Sequence, residues 1–560
     1  MQTGKNTIEG IFDATRIFNV PIYQRAYSWE RKLHLSYFLS DLINQPTSAD
    51  RSYFFGSFLF HLNGKRAEFQ LIDIVDGQQR LTTFIIFMKV LISELKKRNS
   101  AKISERTIRK YIKDEDVYKL ELENEDSSFL HNYVLSDKST RVISFRTPSQ
   151  RLLIDAKLYF SEELSRSETD VLERIYDVAT KADVLLYVVE KINTATQIFE
   201  LLNDRGKKLT DIEGIKSFLM YNVGLVSNSP DQLIQNIQNN FGEIYRMIEA
   251  HNIDEDDVLR YHAIAFEEGY KTDTKPREFI KEKILTLIRN KNSDGAKDTI
   301  VNFSKSLKES FEIYKSIQLN EDNLPELDKL KMIGRVAPYF PVMMRVKKLN
   351  PGQFRDLVSN IIKFTFKAAL VGLRSNGETA LYTAIRDNED LGLKVASITK
   401  YNWWNINVRA KEVAAYNNYF EWVNKNLIKY VLISYENKLR DKKGFALLGI
   451  NDYFSEDSRE KLNIEHISAQ KAVGIEYDED FNQNYMHNIG NLVIDSTASN
   501  SSKRNDNTDD KKSALRNAPL MSQNEILEAD CNWRDLDSIK KFITVREGRL
   551  KAFISKEFEL

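Results

Sequence analysis

The sequence predicts a mainly α-helical chain with small sheets: an α/β N-terminal domain, a mostly helical middle, and a C-terminal module of two short strands and a helix. Three observations carry that expectation. Aromatic and β-branched runs bounded by turn residues fall in the first part of the chain. Apolar residues recur at helical spacing from about residue 195 to 440. Beyond that point His466, in Glu465-His466-Ile467, is followed 25 residues later by Asn491, in Gly490-Asn491-Leu492.

In the first part, Ser52 to His61, Gln70 to Val75 and Asp183 to Val189 read as buried strands. Leu81 to Leu95 reads as a helix packed on them, and residues 100–140 as charged helix or loop. In the middle, Ile198, Leu201 and Leu202 form one apolar stripe, which Asn203-Asp204-Arg205-Gly206 breaks. Thr210-Asp211-Ile212-Glu213 is a capping box opening the next helix, whose core face continues through Ile212, Ile215 and Leu219. Residues 227–230 and 320–325 read as loops between helices. A chain of 560 residues holds about three domains, because single cores stop growing near 250–300 residues. The divisions expected are 1–205, 206–440 and 441–560.

Hydrophobic residues make up 42% of the chain and charged residues 29%, an ordinary soluble composition that excludes global disorder. The formal net charge is zero, so no long-range field draws the whole molecule to nucleic acid and any DNA contact must come from local patches. Two windows are basic. Residues 271–292 carry seven Lys or Arg against three acids, and residues 400–443 carry nine against four, with Trp403, Trp404 and Trp422 among them. Such a mix tracks a phosphate backbone and stacks on bases, and it is also the composition of a solvated helix face. Cys531 is the one cysteine, which excludes an intrachain disulfide and a cysteine zinc cluster and suits a reducing compartment. Residues 1–12 lack a signal-peptide core. The strongest apolar run, Leu81 to Ser93, is broken by Lys89 and is too short to span a bilayer. A cytoplasmic protein without membrane association is expected.

Asp76-Gly77-Gln78-Gln79-Arg80 falls between a strand and a helix. Backbone N–H groups at such a helix N-terminus form an anion site, the planar fork of Arg80 suits phosphate, and Asp76 can hold a cation or orient water. Asp-Gly before a helix is equally a plain turn and cap.

The C-terminal constellation has the parts for cutting a phosphodiester, which needs a base to take a proton from water and a cation to neutralise charge on the phosphate. His466 can be the base, and Glu465 with Asn500 can hold the metal. Residues 491–495 read as a strand with Leu492 and Ile494 facing a core, and Ser499-Asn500-Ser501-Ser502 as a cap opening a helix. Neighbouring Glu465 and His466 point to opposite faces of an extended strand, so the site demands a strand that bends or ends there.

This C-terminal pattern resembles the His-Me finger, or HNH, nucleases with their ββα-metal fold. The resemblance implies that His466 is the general base, that Asn491 orients it, and that Glu465 and Asn500 bind Mg²⁺ or Mn²⁺. Asn505 is then a reserve ligand and Lys503 a DNA phosphate contact. The chain departs from the related Glu-His-Ile-x-Pro-Gln pattern at Ala469, where proline would stiffen the loop, and keeps Gln470.

Asp76 to Arg80 is similar to the motif of the N-terminal domain of GmrSD-type modification-dependent (type IV) restriction endonucleases, a domain likened to the ParB and sulfiredoxin fold. Residues 20–29, with Pro21, Tyr23, Gln24, Arg25, Tyr27 and Trp29, resemble a second motif of that family. Residues 199–206 with Leu209 and Ile215-Lys216 resemble a third, and the finger motif a fourth. The resemblance implies a nucleoside-triphosphate-binding and hydrolysing domain governing a nuclease in bacterial defence against phage or modified DNA. Asp76, Gly77, Gln78, Gln79 and Arg80 would handle the nucleotide, whether GTP, ATP, UTP or CTP. Tyr23, Gln24, Arg25 and Arg205 would line the same cleft and read nucleotide or modified DNA, although the aromatic residues among these segments also suit a core. The resemblance leaves open a homo-oligomer, an RNA substrate, and a nucleotide-operated DNA-binding or scaffold protein whose finger is not catalytic.

Overall fold

Phe54–Arg66 (β3) and Phe69–Asp76 (β4) form an antiparallel hairpin, and the rest of the N-terminal sheet is built out from it on both sides. The structure is a computed structural model and describes residues 3–13, 15–45, 53–124, 126–136, 144–190, 194, 210–373, 378–394, 405–416, 424–455, 461–471, 474–496, 508 and 520–560. Two units divide the chain: residues 1–260 with 271–315, and residues 261–270 with 316–560.

In the first unit, Asp183–Val189 (β8) lies parallel to β3 and antiparallel to Gly4–Thr7 (β1). On the other side, Arg16–Val20 (β2) lies parallel to β4, and Leu120–Leu122 (β7) parallel to β2. The six-stranded order is therefore β1-β8-β3-β4-β2-β7. Lys113–Asp114 (β5) and Val117–Tyr118 (β6) make a separate two-stranded ribbon. The three expected strands are present, and β3 runs longer than expected. The segment read as charged helix or loop also supplies β7. Three residues are too few to display an alternation, and β7 is held by its place beside β2 rather than by a pattern of its own. In β2, Asn19 sits where an apolar residue would complete a run. It is buried, and its amide donates to Asp73 (2.9 Å) and Glu123 (2.6 Å).

The helix after β4, α1 (Gln78–Lys97), starts three residues before the expected Leu81 and buries residues all around its circumference, from Leu81 to Leu95. A helix apolar on every side belongs inside a core. It packs among Phe12, Phe18, Phe58, Phe60 and Phe160. Burial of this kind stabilises by about 1.5–3 kcal/mol per large apolar side chain. The capping box forms as read: Thr210 accepts from the Glu213 N–H, and Glu213 from the Thr210 N–H, opening α2 (Asp211–Val226). Ile212, Ile215 and Leu219 are buried. The loops expected at 227–230 and 320–325 separate helices. The stripe at Ile198, Leu201 and Leu202 and its breaker lie outside the described residues.

Among its described residues the second unit is helical apart from one antiparallel pair, Leu462–His466 (β9) with Leu492–Ser496 (β10). In β10 the expected alternation gives way to burial on both faces: Leu492, Val493 and Ile494 are all buried, and the helices Lys425–Lys443 and Met521–Leu527 pack against the pair. Val493 joins Ile467, Phe481, Met486, Ile526, Trp533, Ile539 and Ile543 in a compact core. Among the described residues no helix is long and apolar enough to cross a membrane.

Candidate functional site

His466 is the last residue of β9 and lies opposite Leu492 in register, while Glu465 lies opposite Val493. The strand therefore ends at His466, with Glu465 still within it. His466 is 8% exposed, whereas Glu465 is half-buried.

The segment beyond His466 is tied down by Asn491. The Ile467 N–H donates to the Asn491 carbonyl (2.8 Å), and the Ser468 N–H to Asn491 Oδ1 (2.8 Å). Asn491 Nδ2 donates to the carbonyls of Met486 (2.8 Å) and Ser468 (3.3 Å). The side chain thus grips the backbone two residues past His466 rather than the imidazole, and it orders the loop that carries the ring. Buried amides that satisfy every donor and acceptor rigidify their surroundings. Tyr477 adds a bond to the Ala469 carbonyl (2.8 Å), and Thr508 one to that of Ile467 (3.0 Å). Ala469 is buried, so this loop is fixed by hydrogen bonds where the related pattern uses a proline ring.

Gly490 is required by close packing. A Cβ there would stand 2.2 Å from the Ile543 carbonyl oxygen of helix α3 (Leu536–Glu557). Arg546, on the same helix, is fully buried and donates to the carbonyls of Gly490 (3.0 Å) and Leu492 (2.6 Å) while pairing with Glu525 (3.2 Å). The Gly-Asn-Leu turn is thereby clamped from behind.

One residue that the sequence reading missed stands beside His466. His487 Nδ1 lies 3.1 Å from His466 Nε2, with the rings edge to face. A histidine four residues before the motif asparagine was a signal available in the sequence. Asn500, Lys503 and Asn505 lie outside the described residues. Among the described residues no three carboxylate, imidazole or thiolate groups gather around one point. The chemistry of the candidate ion set, one carboxylate from Glu465 with amide oxygens from Asn500 and Asn505, suits a hard divalent cation.

The second constellation lies in the first unit. Asp76 closes β4, and Gly77, at φ 91°, is the N-cap of α1, in a left-handed conformation that glycine adopts without strain. A Cβ there would also meet the Phe58 ring at 2.3 Å. Gln79 Nε2 donates to the Ala26 carbonyl, and Gln79 Oε1 accepts from the Ser28 N–H, each at 2.9 Å. Arg80 donates to the carbonyls of Ser57 (2.9 Å) and Phe55 (3.4 Å). Gln24 donates to the Val75 carbonyl (2.8 Å). Gln24, Gln79 and Arg80 therefore frame the turn by holding neighbouring backbone. Burial pushes the Asp76 carboxyl up against the opposing pull of Arg80, and burial lowers the Arg80 guanidinium against the pull of Asp76.

Tyr23 is buried, with Arg25 exposed beside it. The Tyr23 carbonyl accepts from Lys216 Nζ (2.8 Å), and that ammonium sits over the rings of Tyr23 and Tyr245. Burial lowers Lys216 to about 8, against the opposing charges of Glu213 and Glu255. The hydroxyls of Tyr23 and Tyr245 find no hydrogen-bond partner among the described residues. Arg205 lies outside those residues, as do Trp403, Trp404 and Trp422 of the second basic window. Several described cations of the two windows are engaged within the fold: Lys281 over Phe218, Lys438 over Phe553, and Lys429 on the Tyr453 carbonyl.

Family models match both parts of the chain. The model described as GmrSD restriction endonuclease, N-terminal domain, matches residues 8–220, and the model described as GmrSD restriction endonucleases, C-terminal domain, matches residues 397–541. No curated protein matches the chain.

Proposed function

From the premise that this chain belongs to the GmrSD restriction endonuclease family, and so is a DNA endonuclease of phage defence, we propose that it is a nucleotide-regulated, metal-dependent enzyme acting on modified DNA. In this reading residues 1–205 form a ParB/sulfiredoxin-like nucleotide sensor, 206–440 a helical coupling region, and 441–560 a His-Me finger.

The observation that carries the nuclease reading is the position of His466: a nearly buried imidazole at a strand end, on a loop whose backbone is bracketed by the Asn491 amide. A base positioned in this way takes the proton from water as the water oxygen attacks phosphorus, a contribution of roughly 10²- to 10⁴-fold. Glu465 with Asn500, and Asn505 in reserve, would hold Mg²⁺ or Mn²⁺, which when bound supplies charge neutralisation at the phosphate. Lys503 would steady a neighbouring phosphate of the substrate.

For the N-terminal site, the backbone N–H groups of the first turn of α1 and the half-buried Asp76 support nucleoside-triphosphate binding, with Gln79 and Arg80 shaping the turn. Nucleotide acts by population shift, favouring the cutting-competent arrangement over a resting one, since an unrestrained nuclease endangers its host.

The test is incubation of the full chain and its His466→Ala variant with plain and modified phage DNA and with RNA, with Mg²⁺ or Mn²⁺, across the four triphosphates. Cleavage confined to DNA, faster on modified DNA, dependent on nucleotide and lost in the variant is expected. Undiminished cleavage by His466→Ala overturns the catalytic assignment. Equal rates with and without every nucleotide overturn the regulation. Preferential cutting of RNA moves the substrate.

A further inference from the structure

We propose that His487 is a positioning residue for the nuclease reaction, setting the tautomer of His466; this rests on the reading of His466 as the base. Two observations converge on it. His466 Nε2 and His487 Nδ1 are 3.1 Å apart, a hydrogen bond in which one nitrogen donates and the other accepts. The same Asn491 amide that binds the Ser468 carbonyl, two residues after His466, also binds the Met486 carbonyl, immediately before His487. Asn488, immediately after His487, accepts the Asn491 N–H at its carbonyl and the Gly490 N–H at its Oδ1, each at 2.8 Å. One buried amide and the turn beside it therefore fix both imidazole-bearing segments, and the ring-to-ring contact is built into the backbone.

The direction of the bond decides the chemistry. A neutral imidazole carries one N–H and one lone pair, and the partner of one nitrogen sets what the other can do. With His466 Nε2–H donating to His487 Nδ1, the lone pair of His466 is placed at Nδ1, the atom that takes the proton in this proposal. As the water oxygen forms its bond to phosphorus, the water proton passes to His466 Nδ1. The phosphorus–ester oxygen bond breaks, and the leaving oxygen takes a proton from solvent. The bond from Nε2–H to His487 is then charge-assisted and shortens, so His487 stabilises the arrangement in which the proton has moved. In the opposite orientation His487 would fill the Nε2 lone pair of His466, and its Nδ1 would carry a hydrogen that no water can give up a proton to.

The experiment compares the full chain with His466→Ala, His487→Leu and His487→Asn on modified phage DNA with Mg²⁺ and a mixture of the four nucleoside triphosphates. In His487→Asn the amide oxygen stands where Nδ1 stood and can accept the same hydrogen. Supporting groups of this kind contribute on the order of 10- to 100-fold. His487→Leu is expected to lower kcat by that factor with KM within about twofold, and His487→Asn to recover most of the loss. Loss of activity in His466→Ala together with wild-type kcat in His487→Leu overturns the role of His487 and leaves the nuclease reading standing. Undiminished activity in His466→Ala overturns the reading beneath it. A measurement on the unsubstituted protein covers the case in which His487→Leu does not fold: ¹⁵N shifts of the imidazoles, assigned through the His466→Ala spectrum, should report His466 as the Nε2–H tautomer. The Nδ1–H tautomer overturns the proposal.

Discussion

Gly490 and Ile543 meet backbone to backbone: the α-carbon of the glycine lies so close to the helix that a methyl group on it would sit 2.2 Å from the Ile543 carbonyl oxygen and 2.9 Å from the Glu547 nitrogen. Neither obstacle is a side chain that can swing away. Gly490→Ala must push helix α3 off the turn that carries Asn491. Overpacking costs about 1–3 kcal/mol, and more where backbone must shift. Chemical denaturation of the variant should show that loss, with cleavage falling in parallel because the His466 loop hangs from the same turn. A variant of wild-type stability would contradict the packing.

Arg546 clamps the turn from the same helix. Removing one member of a buried ion pair costs roughly 3–5 kcal/mol, because the other charge is left without its partner. Arg546→Met is expected to lose stability on that scale, with part restored in Arg546→Met combined with Glu525→Gln. Strict additivity of the two substitutions in denaturant melts would show that Glu525 and Arg546 do not act as a pair.

Gln79 holds the 26–28 segment through one donor and one acceptor. Gln79→Glu keeps the acceptor for the Ser28 N–H and sets a carboxylate oxygen against the Ala26 carbonyl. A buried group left unsatisfied costs about 1–3 kcal/mol. Urea melts should show that destabilisation, and nucleotide binding, measured by calorimetry, should weaken because the framing of the turn is disturbed. Unchanged stability would mean the two bonds are not formed in solution.

Lys216 makes stability depend on pH with a definite sign. The unfolded chain holds this proton up to about 10.5 and the folded chain only up to about 8, since burial disfavours the ammonium. Between those values the unfolded state binds more protons, so this residue's contribution rises with pH, by roughly 3 kcal/mol across the full window, and is lost as pH falls through 8. Comparing the protein with Lys216→Met at pH 7.5 and pH 10 isolates the effect from the tyrosines. The wild type should gain on the variant by about 2 kcal/mol at the higher pH, and a constant difference would refute a buried ammonium.

Glu465 is half-buried next to His466 at the strand end, so its loss should touch cation binding more than folding. Glu465→Ala and Asn500→Ala are each expected to raise the Mg²⁺ concentration needed for half-maximal cleavage by tenfold or more, on the order of what one ligand contributes. Their thermal melts should match the wild type. A normal Mg²⁺ titration in both variants removes the ligand assignment.

Much of this was legible from local pattern. The hairpin strands β3 and β4, the strand β8, the capping box at Thr210 and the strand at Leu492 all announce themselves through runs, turns and caps within ten or so residues. Strands β2 and β7 did not. Asn19 interrupts one, compensated by acids at positions 73 and 123, and the other is too short to show a period. The site motifs were legible as residue types but not as contacts. Asn491 grips backbone at Ser468 and Met486, and Gln79 and Arg80 grip strands and loops rather than standing open.

By itself the sequence determined which residue types stand together along the chain: an acid and an imidazole at a strand end, a glycine and an asparagine before a buried strand, and a glycine turn opening a helix. Those depend on neighbours a few residues apart, where backbone preference and hydrophobic period act. Only the tertiary structure decided that His487 meets His466, that Gly490 has no room for a methyl group, and that the Lys216 ammonium sits over two tyrosine rings. Such contacts join residues 21, 53 and nearly 200 positions apart, and are fixed by close packing and the pairing of buried polar groups, which no local pattern records.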